Sequence, residues 1–476
     1  MKSPADTGTW RTLLGPAYLR TSTVLAGGVA LYATNEFITI SLLPSAVADI
    51  GGQRFYAWVM AVYLVASVVA ATTVYPIVTR LGPRWSYLGA LAVFGAGTML
   101  CALAPTMELL LVGRVIQGLG GGVLAGLGYA VINAALPQEL WTKASALVSA
   151  MWGVGTLLGP ATGGLFAQFG LWRWAFGVLA IATAAMAILV PFTLSPRQQL
   201  DSEVAPFRIP IWSLLLLGAA ALSVSIAGVL GSPVLTGVLL VLGVLLVLAF
   251  LVVDRRVSVA VLPPSTFRPG PLKWMYLTLG LLMAATMVDM YVPLFGQRLG
   301  HLAPVVAGFL GVALAVGWTV GEIGSASLRS VSMTGRVVAV APLVMALGLV
   351  LAAVTQFEDA SVLVMGAWVL ALLVTGTGVG IAWPHLSAWA MASVDDPEEG
   401  GAAAAAINTV QLMCGAFGAG LAGVVVNSTD RGDATAARWL FGVFAVLAVV
   451  GTIASFRASA VARHRGADVA ALTPPN

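Results

Sequence analysis

The sequence predicts an all-α polytopic membrane protein: two six-helix bundles plus an inserted two-helix hairpin, fourteen transmembrane helices in all. Three observations predict it. The 476 residues are 59% hydrophobic and only 9% charged, against about 25% charged in soluble domains. Fourteen apolar runs, centred near residues 32, 67, 95, 120, 155, 184, 219, 243, 284, 316, 346, 376, 416 and 448, are long enough to cross about 30 Å of hydrocarbon. An even span count puts both termini on one side, and 17 of the 23 Lys and Arg fall there. Positive charge collects on cytoplasmic loops, so both termini are expected in the cytoplasm and the chain in the cell inner (plasma) membrane. The net charge of +4 is then a topology signal and calls for no nucleic-acid partner.

Residues 1–194 hold the first six spans. The run from Thr21 to Leu43 is too long for a signal-peptide core and is read as a retained span, although Ala46-Val47-Ala48 mimics a cleavage site. The second span leads into a tight basic turn, Val74 to Trp85, with Arg80, Gly82 and Arg84. In the fourth, Gly118, Gly122 and Gly126 share a face. In the fifth, Gly153 to Gly164, the residues Gly155, Gly159 and Gly163 stand at i, i+4 and i+8. A neighbouring backbone can pack closely on such a face, and Pro160 is expected to kink the helix. Residues 195–271 form a polar linker and two extra spans joined at Gly231-Ser232-Pro233. The stretch Asp254 to Lys273, with Pro263-Pro264, is expected along the cytoplasmic surface. Residues 272–476 hold six more spans. Here Gly376, Gly380 and Pro384 share a face and predict a second kinked helix. Weak repetition links the halves: the basic turn at Arg80 matches Leu328 to Arg336, and the loop LPQELWTKASAL matches DDPEEGGAAAAA. Cys101 and Cys414 lie in apolar spans and read as unpaired thiols.

These motifs resemble the major facilitator superfamily, and within it the fourteen-span drug:proton antiporters. Gly155 to Gly164 looks like the antiporter motif G-x-x-x-G-P-x-x-G-G, which importers generally lack, and which makes Gly155, Gly159, Pro160, Gly163 and Gly164 a conformational motif. Arg114, Gln117 and Gly118 resemble the span-4 motif R-x-x-Q-G. The segment LWRWAF, from Leu171, resembles the exit from span 5, and NEFITISLLPSAVADIG resembles T-E-F…L-L-P of twelve-span exporters. The cytoplasmic signature G-x-x-x-D-R-x-G-R-R departs from the pattern: Tyr75, Thr79 and Pro83 replace Gly, Asp and Arg, while Arg80, Gly82 and Arg84 remain. In the family that Asp helps to lock the cytoplasmic gate, so the effect of Thr79 on gating is open.

Four ionisable residues sit well inside spans: Glu36, Arg114, Asp289 and Glu322. Each costs about 2.5–3.5 kcal/mol at mid-membrane on insertion scales and therefore needs a partner or a task. Glu36 lies 8 residues before Pro44, Arg114 9 after Pro105, and Asp289 9 before Arg298. At about 1.5 Å per residue they share one depth. The resemblance implies contact between the first and fourth spans, so a Glu36–Arg114 pair is expected, with Asp289 facing the same cavity from the other half. Glu322 falls deeper, level with His385, which reads as a packed residue. Desolvation penalises a charged carboxylate and a nearby arginine favours it, so these groups are the candidates for proton coupling. Asn35, Tyr32, Gln117, Tyr129, Trp152, Tyr291 and Trp318 are the candidate substrate cavity, since aromatics with few polar anchors suit amphiphilic ligands.

The expectation is a proton-coupled exporter (antiporter) of amphiphilic, cationic or neutral, drug-like compounds by alternating access, a monomer whose partners are the small substrate, protons and the lipid bilayer. The alternative is an exporter or flippase of a lipid or cell-envelope component on the same fold. H-E-x-x-H, G-x-S-x-G and P-loop motifs are absent, and three His and two Cys lie far apart, so no enzyme, metal centre or cofactor is expected.

Overall fold

The computed structural model describes residues 9–194, 209–328, 330–394, 399–429 and 431–472. Lys2 and Arg329, the whole of the linker 195–208 with Arg197 and Arg208, and residues 395–398 of the DDPEEGG loop lie outside them. In hydrocarbon every backbone N–H and C=O must be satisfied within its own segment, and all regular structure among the described residues is helical. Among the described residues thirteen helical segments are long and apolar enough to cross a membrane, and a further apolar helix, Ile211–Ala227, has 17 residues. Together they coincide with the fourteen runs.

The chain forms two compact units, Met1–Ile209 with Pro304–Phe309, and Pro210–Ala303 with Leu310–Asn476. In the first unit the elements are α1 (Trp10–Leu13), α2 (Leu19–Ile50), α3 (Trp58–Ala71), α4 (Val74–Ala102), α5 (Met107–Ala130), α6 (Ile132–Ala135), α7 (Trp141–Gln168) and α8 (Trp172–Leu189). The Thr106 hydroxyl accepts from the Leu109 N–H (3.4 Å) and caps α5. Gly82, at φ 74° and ψ 166°, interrupts α4 in a region of backbone space that suits glycine. At the other end of the unit Asp49 accepts from Arg173 Nη1 (2.5 Å) and Trp172 Nε1 (3.1 Å), joining α2 to α8.

In the second unit the elements are α9 (Ile211–Ala227), α10 (Pro233–Asp254), α11 (Leu272–Thr286), α12 (Val292–Gly300), α13 (Pro304–Ala326), α14 (Val331–Val354), α15 (Val362–Gly380), α16 (Trp383–Ala392), α17 (Gly400–Asn427) and α18 (Asp433–Leu472). The hairpin α9–α10 docks through α9: Asn427 Nδ2 on α17 donates to the Gly228 carbonyl (3.1 Å), and a methyl at Gly228 would meet the Gly423 carbonyl carbon at 3.0 Å. Only 11% of the apolar stretch of α10 is buried. The stretch that follows is tied down, because the Ser265 hydroxyl donates to Glu399 Oε2 (2.5 Å).

One expectation is corrected here. Asp254 is not a surface charge. It is 1% exposed and accepts from the Ser213 hydroxyl (2.7 Å) and from the backbone N–H groups of Val261 (2.7 Å) and Leu262 (2.9 Å). The chain turns back immediately after α10, and those two N–H groups find no helical acceptor other than the carboxylate. Helix α7 runs as one element through Pro160. The interruptions fall at Gly82, at the 3-10 turn Met287–Tyr291 between α11 and α12, and at Ile381–Ala382 between α15 and α16. The last of these agrees with the expectation at Pro384.

Asp254→Ala is expected to lower stability by at least about 1.5–3 kcal/mol, the net worth of one hydrogen bond to a charged group, because it strands three buried donors. Asp49→Ala removes an ion pair whose side chains are 39% and 50% exposed, and such pairs contribute about 0–1 kcal/mol. Thermal unfolding of the two purified variants side by side checks this order.

Candidate functional site

The site in the first unit grows out of one helix interface. Gly155, Gly159 and Gly163 of α7 lie directly on the backbone of α2. A methyl at Gly155 would stand 2.8 Å from the Ala33 carbonyl carbon, and one at Gly159 would stand 2.8 Å from that of Phe37. One at Gly163 would stand 2.5 Å from the Ile38 oxygen, and one at Gly164 would stand 3.1 Å from Ser41 Oγ. The absence of side chains on one face of α7 therefore brings α2 close and fixes where Tyr32, Asn35 and Glu36 stand. Gly118 of α5 packs in the same way on α3, a methyl there being 2.5 Å from the Tyr63 oxygen, and this fixes Arg114 one turn away.

Arg114 is completely buried. Its Nε donates to the Val59 carbonyl (3.0 Å), and its Nη1 donates to Asn35 Oδ1 (3.2 Å) and Gln117 Oε1 (2.6 Å). Its Nη2 faces Met60 Sδ (3.7 Å), and its guanidinium carbon stands 4.0 Å from the centre of the Tyr63 ring. Gln117 Nε2 donates onward to Thr98 Oγ1 (2.9 Å). The cation is thus held by neutral acceptors and a π face. Tyr32 stacks on Tyr63 (ring centroids 5.5 Å), and Trp152 meets Tyr32 edge-on (5.7 Å). The result is an aromatic run from α7 through α2 to α3 that ends on Arg114.

Glu36 is 7% exposed, and its Oε2 has no hydrogen-bond partner. Among the described residues no ion pair within 4.0 Å joins it to Arg114. Helices α2 and α5 do meet, as the resemblance implied, yet Arg114 selects Asn35, the neighbour of Glu36. Spacing alone does not distinguish a carboxylate from the amide one residue away. Tyr63, the centre of the arrangement, escaped sequence reasoning, because one tyrosine in an apolar span carries no signal without its neighbours. Tyr129 stands apart from the cluster, 44% exposed and paired with Ser149 Oγ (3.0 Å).

The second-unit candidates are spread over two regions. Asp289 lies on the 3-10 turn Met287–Tyr291 in the middle of an apolar span, where a methyl at Gly311 of α13 would come 2.8 Å from its Oδ1. Tyr291, on the same turn, is buried and stacks on Phe295 (5.9 Å). A mid-span 3-10 stretch often marks a hinge. Trp318 and Glu322 follow on α13. Trp318 lies 5.2 Å from the Trp383 ring, and His385 Nε2 stands 3.2 Å from the Ser325 carbonyl, so His385 is packed beside the Glu322 turn as expected. At the basic turn, Thr79 Oγ1 donates to the Tyr75 (3.0 Å) and Pro76 (3.2 Å) carbonyls of its own helix. The Arg84 guanidinium lies 5.9 Å from the Trp85 ring. Among the described residues no cluster of His, Cys, Asp and Glu has the makings of a metal site, and both cysteines are free thiols.

Residues 25–419 match the family model of the Major Facilitator Superfamily. The chain belongs to the major facilitator superfamily. A probable multidrug-efflux transporter of Mycobacterium tuberculosis is 62% identical over 462 residues, 96% of this chain and 98% of the relative. An uncharacterized transporter of the superfamily from the same organism is 26% identical over 420 residues, 86% of this chain and 60% of the relative. Solved superfamily structures share the fold at low identity. The nucleoside transporter NupG has a TM-score of 0.64 at 14% identity, covering 92% of this chain and 98% of NupG. A POT family transporter in complex with a thioalcohol-conjugated peptide has a TM-score of 0.67 at 13% identity, covering 91% and 95%.

For this superfamily member the glycine stripe gives a direct test. Gly159→Ala forces a methyl into the α2 backbone and is expected to cost about 1–3 kcal/mol, as overpacking does. Gly153→Ala meets nothing within 4 Å and should be neutral. Unfolding midpoints of the two variants check it, and equal midpoints would refute the packing role.

Proposed function

We propose that the chain is a proton-coupled exporter of amphiphilic, cationic or neutral, drug-like compounds, working by alternating access as a monomer in the inner membrane with both termini cytoplasmic. The 62% identity to a probable multidrug-efflux transporter supports export. The observation that carries proton coupling is Glu36: a buried carboxyl with an unpartnered oxygen, beside an arginine already satisfied by other groups. An ionised carboxylate at this depth has no hydrogen bond to its Oε2, and a proton or a cationic substrate satisfies it. A site that either occupant can neutralise, but not both together, exchanges one for the other. Tyr32 and Trp152 supply the adjoining aromatic surface for an amphiphile. Asp289, on its mid-span turn, is the second candidate for proton exchange, and Glu322 the third. One proton crossing 100 mV supplies about 2.3 kcal/mol, enough for roughly 40-fold accumulation of a neutral substrate exchanged one for one.

Dye efflux from proteoliposomes under an imposed pH gradient tests this. Efflux of a cationic amphiphilic dye that rises with the gradient and stops when it is collapsed is the expected result. Efflux indifferent to the gradient would refute coupling, and movement of fluorescent lipid in place of dye would favour the lipid-exporter alternative.

A further inference from the structure

We infer that Tyr63 is a positioning residue for proton exchange at Glu36: its ring holds the Arg114 guanidinium away from that carboxyl and so keeps the carboxyl available. This rests on the proposal that Glu36 exchanges protons. The guanidinium carbon stands 4.0 Å from the Tyr63 ring centre, at the distance where an aromatic face attracts a cation, and desolvation strengthens that attraction. The guanidinium is further fixed by the Val59 carbonyl, Asn35 Oδ1 and Gln117 Oε1. These partners are all neutral, and they turn its planar fork toward Asn35 while Glu36 Oε2 is left unpartnered one residue along α2. Tyr63 is completely buried and is itself clamped by stacking on Tyr32. Its backbone is pinned against α5 at Gly118, so ring and guanidinium keep their register.

The titratable groups electrostatically coupled to Glu36 are Tyr32 on its own helix, Tyr63 from α3 and Arg114 from α5. From α7 the face packed on α2 presents Gly155, Gly159 and Gly163, and α8 meets α2 at Asp49 through Trp172 and Arg173. Among the described residues of this unit, Arg114 is therefore the cation placed to capture Glu36, and the Tyr63 face withholds it together with the three neutral acceptors. An arginine bonded directly to Glu36 would hold the carboxylate ionised and close it to protons.

Infrared difference spectra of purified protein across a pH series follow the Glu36 carboxyl band, which Glu36→Gln identifies. Tyr63→Leu removes the ring face and lets the Nη2 side of the guanidinium swing toward Glu36. Its band is expected to titrate about 1–3 pH units lower than wild type, the effect of an opposite charge within a few ångströms of a carboxylate. Tyr63→Phe keeps the ring and should restore the wild-type midpoint. Tyr63→Met fills the space without a π face and takes the place of Tyr63→Leu if that variant does not purify as a folded monodisperse protein. An unchanged midpoint in the ring-less variant, or an equal acid shift in Tyr63→Phe, would overturn the inference. A shifted midpoint together with wild-type efflux indifferent to a pH gradient would leave the Tyr63 assignment standing and remove the proton-coupled function.

Discussion

Glu36→Gln is expected to abolish uphill export and to spare passive exchange. Glutamine keeps the volume and polarity of the side chain but cannot take up or release a proton. For a neutral dye driven by 100 mV, the accumulation ratio should fall from as much as roughly 40-fold in wild type, the ceiling for one proton, to unity in the variant. Exchange of labelled for unlabelled dye across the same membrane needs no proton and should continue. The two readouts separate coupling from folding. A protein that fails to fold loses both, whereas a lost coupling group costs only the first. Retained uphill export in Glu36→Gln would transfer the coupling role to Asp289.

Arg114→Ala is expected to be the most destabilising change at the site, at upwards of about 3 kcal/mol, because it strands buried acceptors on Asn35, Gln117 and Val59 at about 1–3 kcal/mol each. Arg114→Lys should lie between Ala and wild type, since an ammonium cannot reproduce a planar fork that bonds three acceptors and lies on a ring. The double variant Glu36→Gln/Arg114→Gln distinguishes this arrangement from a direct ion pair. A pair would show strong coupling, with the second change relieving the first. Here the guanidinium is hydrogen-bonded to Val59, Asn35 and Gln117 and not to Glu36, so the coupling energy should fall at the low end, about 0.5–1 kcal/mol, of the range for neighbouring residues. Denaturant or thermal unfolding of the four proteins in the cycle measures it.

The parts of the site that were legible in the sequence are those set by spacing. Three glycines at i, i+4 and i+8 can share only one helix face, and that face lies on α2. The depth of Glu36 and Arg114 follows from a fixed rise per residue, while the contact between their helices was implied by the family resemblance. What spacing does not contain is the choice among acceptors at one depth. Asn35, Gln117 and the Val59 carbonyl all compete for Arg114, and the rotation of α2 decides for the amide over the adjacent carboxylate. Asp254 was misplaced for a related reason. Proximity to Arg255 and Arg256 reads as a solvated loop, and only the backward turn of Val261 and Leu262 shows the carboxylate to be an internal cap. The break at Met287–Tyr291 was missed although Pro293, in the first turn of α12, has no N–H to give the Asp289 carbonyl and so marks it.

The central claim is that substrate and proton are exchanged through Glu36, and the most direct measurement is proton movement driven by substrate alone. Proteoliposomes with equal pH on both sides and a lumenal pH indicator are given a step of cationic dye. Coupled exchange requires the dye gradient to build an opposing pH change in wild type, and no such change in Glu36→Gln. Dye entry without any pH change in wild type, or a pH change of equal size in Glu36→Gln, would contradict it.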